Sequence, residues 1–281
     1  MSPGCREECS PRLRYHDRSV FSRSPWCSGQ VAFVLYRVLV ALVTVTILMF
    51  LLCNYYITDG SSRWPVYLTN WCFSILALHT IVAMSVSIAV YCRSDYTEFS
   101  TETTGDESVV TNNLTWYQKA HWMLHSTSIT MAFLVTTLYW ALDKREFKPS
   151  SINEHILNSV IALLDLFVSG TPVRVLHMVY PVAFAMVYAA FYVIYWATGG
   201  KGKNGEVVLY KLWDFENDPK MAIVYMVLLV FVATPFFHLL TYGLHRLKVV
   251  IFAKTLGREA GANSPLRRGQ RDYKLYVETA L

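Results

Sequence analysis

Residues 155–169, HILNSVIALLDLFVS, decide the fold. His155, Asn158, Asp165 and Ser169 recur at helical spacing, so they share one face of a helix whose remaining positions are apolar. A carboxylate facing hydrocarbon is so costly that this stripe must look into the interior of a bundle or a wet cavity. Upstream, Ser151 and Glu154 have the Ser-x-x-Glu spacing of a capping box. That start sets His155 near one membrane surface, Asn158 about 5 Å deeper, and Asp165 close to the bilayer centre.

Working outward, the 281-residue chain is 54% hydrophobic and only 16% charged, and its apolar residues come in long blocks. Six blocks approach the roughly 17–25 residues needed to cross a bilayer: Val31 to Cys53, Val66 to Cys92, Trp116 to Leu142, His155 to Thr171, Leu176 to Thr198 and Met221 to Leu244. The fourth and fifth are divided at Pro172 to Val175, because an unbroken pair is too long for one span. The expected fold is therefore all-α, a polytopic bundle of six transmembrane helices over residues 31–245. Basic, flexible tails cover residues 1–30 and 246–281. The first thirty residues carry five arginines but no apolar core, so they do not read as a cleavable signal peptide.

Sixteen Lys and Arg fall on the side of the tails and eight on the other, with Arg37 inside a span. The positive-inside rule then puts both termini in the cytoplasm. The Asn113-Leu114-Thr115 sequon falls in a loop that this topology keeps cytosolic and hence without glycan. Cysteine usage does not resemble a disulfide framework, and no phosphate loop, cofactor motif or nucleic-acid motif is present.

Other spans carry polar stripes too. Thr69, Thr80 and Ser87 line one side of the second helix, with His79 about 80° to the side of that line. His121, His125, Ser128 and Thr136 line the third, and Arg37 and Thr44 mark the first. Arg37 enters from the cytosolic side and Asp165 from the outer side, so the two are expected to meet and offset each other's desolvation. His121 and His125 have a metal-compatible i, i+4 spacing. The sequence between them, His-Trp-Met-Leu-His, lacks the Glu of a zinc protease, and their helix offers no third ligand, so the pair reads as packing without a metal. Thr69 and the His155/Asn158 pair both lie about one turn below the outer surface.

From His155 to Pro219, HILNSVIALLDLFVSGTPVRVLHMVYPVAFAMVYAAFYVIYWATGG with the later loop YKLWDFENDP resembles the rolling stone family of multispan membrane proteins. That resemblance implies a plasma-membrane protein linked to muscle development and myoblast fusion. Arg63 to Thr69, Trp122 to Leu124 with Asp143 to Glu146, and Glu154 to Asn158 are more distantly similar to the androgen-induced and androgen-dependent transmembrane hydrolases. Those enzymes cleave fatty acid esters of hydroxy fatty acids with a membrane-embedded threonine and histidine. The likeness implies Thr69 as nucleophile, but the family's catalytic histidine falls on Asn158, and His155 matches its other histidine. An asparagine amide cannot take the threonine proton. A working site then needs His155 as base, with Asn158 orienting or stabilising an oxyanion.

The expected partners are membrane lipids and a PDZ scaffold. The last residues, Glu278-Thr279-Ala280-Leu281, offer a terminal carboxylate, a Leu281 side chain to bury and Thr279 two positions earlier.

Overall fold

The computed structural model describes residues 11–15, 18–26, 29–58, 63–101, 114–142, 156–202 and 205–260. Among them the regular structure is helical, with no strand. In chain order the helices are α1 (Gln30–Cys53), α2 (Leu68–Thr101), α3 (Trp116–Leu142), α4 (Leu157–Val168), α5 (Val179–Ala197), α6 (Pro219–Leu228) and α7 (Thr234–Ala260). The last two form one rod, joined by a π-helical turn at Leu229–Ala233. Pro235 explains the widened turn: it has no N–H to donate and its ring crowds the preceding turn. The Leu229 carbonyl accepts both the Thr234 backbone N–H and, at 2.8 Å, Thr234 Oγ1.

Four stretches are long and apolar enough to cross a membrane: Gln30–Ile57, Leu68–Arg93, Val175–Ala197 and Pro219–Thr255. The other two rods differ from expectation. α3 has the length, but its first half is rich in His, Ser and Thr. α4 has 12 residues, about 18 Å, well short of a hydrocarbon core about 30 Å thick. It ends at Val168, three residues before the expected Thr171. Ser169 turns to extended backbone, and the helical path resumes only at Val175. Pro172 disfavours helix in the residue before it, and Gly170 passes against the N-terminal segment. A Cβ on Gly170 would stand 2.7 Å from the Val20 carbonyl oxygen and 2.9 Å from that of Arg23.

The rods alternate in direction. At one end the Trp26 ring, just before α1, lies 5.3 Å from Phe252 on α7. There too, Arg93 on α2 donates to Tyr117 Oη on α3. At the opposite end Tyr188 Oη of α5 donates to the Val66 carbonyl, and the Leu68 N–H donates to Tyr210 Oη. The loop Lys211 to Asp218 closes this second end, with Trp213 and Phe215 packed against Tyr192. Its shape comes from Asp214, whose carboxylate accepts from the Asn217 side chain and from the backbone N–H groups of Glu216 and Asn217. The Asn217 amide, foremost among these donors, holds the Asp214 carboxyl below its ordinary value. Asp218 then caps α6 through the Met221 N–H, with Pro219 at the first helical position.

Polarity is distributed inside out relative to a water-soluble bundle. Ile57, Ile194, Leu35 and Phe236 are each more than 60% exposed, whereas Arg37, Asp165 and Lys248 are sealed inside. Such an exterior suits acyl chains.

Part of the stretch read as an N-terminal flexible tail is also packed. Phe21 and Ser22 are fully buried and Tyr15 nearly so. Ser24 Oγ donates to the Val168 carbonyl at 2.6 Å, and Trp26 Nε1 to that of Phe167 at 2.6 Å. The exposed carbonyls at the C-terminus of α4 explain why the segment docks there.

Candidate functional site

Four rods send their most polar side chains to one point. α3 lies at the centre, packed on α2, α4, α5 and α7. Its His121 and His125, four residues apart, project from one face. His79 comes from α2, Asp165 from α4 and Arg37 from α1. All five are at most 1% exposed.

The carboxylate of Asp165 organises the cluster. Arg37 Nη1 forms a short ion pair with its Oδ1. His79 Nε2 hydrogen-bonds its Oδ2 at 2.9 Å, and His125 Nδ1 stands 3.4 Å from the same oxygen. The guanidinium also lies 5.0 Å over the Phe33 ring, a cation–π contact within its own helix. His121 touches no carboxylate oxygen but stacks on His79, ring centroids 5.3 Å apart and planes at 17°. His125 lies 5.3 Å from His79 and 6.2 Å from His121.

Two neighbouring arrangements were not legible from motifs. Lys248 on α7 is fully buried, and its Nζ donates to the Leu166 carbonyl at 3.0 Å and the Ser169 carbonyl at 2.8 Å. It thus places a cation on the negative end of α4. Counted in the sequence as a tail charge, it is part of the core, because α7 runs on to Ala260 rather than ending near Leu244. The second arrangement surrounds Trp122. Its indole N–H donates to the Pro172 carbonyl at 2.7 Å, and Arg174 lies 4.8 Å over its ring. His238 Nε2 bonds the Arg174 carbonyl at 2.9 Å, and its Nδ1 meets Thr130 Oγ1 at 3.1 Å.

The residues singled out by the hydrolase likeness lie apart from this cluster. Thr69 is half-buried in the first turn of α2, ten residues before His79, and so about 15 Å away along the helix. Asn158 is fully buried in the first turn of α4, and neither amide atom has a hydrogen-bond partner among the described residues. His155, Thr279 and Leu281 lie outside the described residues, as does Asn113.

The family model for protein rolling stone matches residues 9–258, which take in α1 to α6, α7 as far as Arg258, and the whole polar cluster. The chain belongs to the rolling stone family. Protein rolling stone of Drosophila melanogaster is 27% identical over 247 residues, covering 83% of this chain and 85% of the relative. No solved structure matches the chain. Membership in the rolling stone family therefore rests on sequence along nearly the full bundle.

Proposed function

We propose that this chain is a rolling stone-like plasma-membrane protein of cell–cell fusion, crossing the bilayer six times with both termini in the cytoplasm. The family match through residues 9–258 carries the reading. The bundle adds two supports: an apolar exterior, and charged groups gathered inside where helices meet. α4 completes a crossing only together with the extended residues after it, which suits irregular backbone buried in protein rather than facing lipid. The excess of Lys and Arg on the tail side supports the proposed orientation.

Fusion-competent muscle precursor cells lacking the chain should mix their contents less in a split-reporter assay, and re-expression should restore mixing. Epitope tags at both ends should stay hidden from antibody until the cells are permeabilised. Undiminished mixing would reject the fusion role, and tags stained on intact cells would reject the orientation.

One observation favours an intramembrane ester hydrolase as a second reading. The Asn158 amide, at the position matching the hydrolases' catalytic histidine, is buried with both polar atoms unpaired among the described residues. A buried amide without partners is costly, and a bound acyl carbonyl would satisfy its N–H groups. On this reading a fluorophosphonate probe labels the purified protein and Thr69→Ala abolishes labelling. Equal labelling of both, or of neither, rules out Thr69 as nucleophile.

A further inference from the structure

Among the described residues, five of the six ring nitrogens in the cluster have no hydrogen-bond partner: His79 Nδ1 and both nitrogens of His121 and of His125. The 3.4 Å approach of His125 Nδ1 to Asp165 is not aligned as a hydrogen bond. Histidine serving only as glue between membrane helices gains its stability by hydrogen-bonding across them. Here the three rings are fully buried and lie against one another instead. One nitrogen from each ring can be chosen so that all three lie within 4.8 Å of one another.

We propose that His79, His121 and His125 bind one divalent transition-metal ion, zinc by preference, through one nitrogen each, with water as the fourth ligand. Imidazole suits zinc among the first-row ions, and three protein ligands plus water make a common tetrahedral arrangement. With zinc–nitrogen bonds of about 2.0–2.1 Å, tetrahedral imidazoles place their ring centres about 5 Å apart. The observed separations are 5.3, 5.3 and 6.2 Å, so closing the site takes inward shifts together with a turn of the near-parallel His79 and His121 rings that aims one lone pair of each at the ion.

Asp165 supplies the outer support. A ligating histidine typically donates its other N–H to a carboxylate, which fixes tautomer and ring orientation. His79 does this: Nε2 is held by Asp165 Oδ2, leaving Nδ1 with the lone pair. Arg37 already neutralises Asp165, so three neutral imidazoles leave the ion's charge uncompensated. That charge favours an ionised water at the fourth position. Because all three histidines are fully buried, the ion enters as the helices assemble.

The sequence pointed away from this site because the third ligand lies on another helix. His121 and His125 alone are two-thirds of a site, and His79 joins them only when α2 packs on α3.

The test uses the full chain purified in mild detergent without chelators, and measures bound metal by mass spectrometry. About one zinc per chain is expected. His121→Gln should weaken zinc affinity at least about tenfold, since changes behind the ligands alone cost about 10–100-fold. His238→Gln, a buried histidine outside the cluster, should retain the metal. X-ray absorption at the zinc edge of the wild-type protein tests the site even if a variant fails to fold. Three nitrogens and one oxygen at about 2.0–2.1 Å would support it. A chain that takes up no stoichiometric zinc, a shell containing sulfur, or full retention by His121→Gln would overturn it.

Discussion

Asp165→Ala should destabilise the bundle by about 3–5 kcal/mol, because it strands the Arg37 charge in a fully buried position. The loss is larger than the net worth of the ion pair. Removing one partner leaves the other with its whole desolvation penalty, and here His79 loses its hydrogen-bond acceptor as well. Thermal unfolding in detergent should show a much lower midpoint, and expression should fall. The double variant Arg37→Met with Asp165→Leu should recover most of that loss, since a buried ion pair replaced by apolar residues of similar volume is often neutral or better. Asp165→Ala with wild-type stability would mean that Arg37 reaches water or lipid headgroups instead.

The same double variant separates stability from chemistry. If the pair serves only to hold helices together, apolar replacement leaves the histidine cluster and any metal on it untouched. If Asp165 also orients His79, the double variant folds yet binds zinc more weakly than wild type. The structure favours the second outcome, because Asp165 is the one partner of His79 Nε2 among the described residues.

Charges inside apolar runs were the most legible feature of the sequence, because a buried carboxylate has few ways to be satisfied. Arg37 and Asp165 are the two charges deepest in their segments, and opposite entry sides let them meet. The limits of α1 and α3 were readable for the same reason: apolar runs stop where polar residues cluster. The end of α4 was not. Gly170 and Pro172 announce a break somewhere in Ser169 to Arg174, but its onset depends on the N-terminal segment passing against Gly170. That is a contact between residues about 150 positions apart. The meeting of His79 with His121 and His125 was not legible for a related reason: helical periodicity gives angles relative to neighbours on the same helix, whereas the rotation of α2 toward α3 is set by packing. Lys248 looked like one more tail cation until α7 carried it past the carbonyls of Leu166 and Ser169.

Trp122→Ala carries the other large expected effect, also about 3–5 kcal/mol, for a different reason. Trp122 is the largest fully buried side chain among the described residues, and its removal leaves a void that the rigid helices around it cannot fill. Three structures meet on its ring. Phe21 and Tyr15 of the N-terminal segment lie 5.2 and 5.7 Å away, His177 lies at 4.5 Å, and Arg174 sits over its face. The indole N–H also holds the Pro172 carbonyl in the break between α4 and α5. Truncation should therefore free the N-terminal segment before the bundle itself melts, so limited proteolysis should cut between residues 11 and 26 far faster than in wild type. Trp122→Phe keeps most of the packing and loses the hydrogen bond, so its loss should be nearer 1–3 kcal/mol. Equal protection of the segment in all three proteins would show that Ser24 and Trp26, through the carbonyls of Val168 and Phe167, suffice to hold it in place.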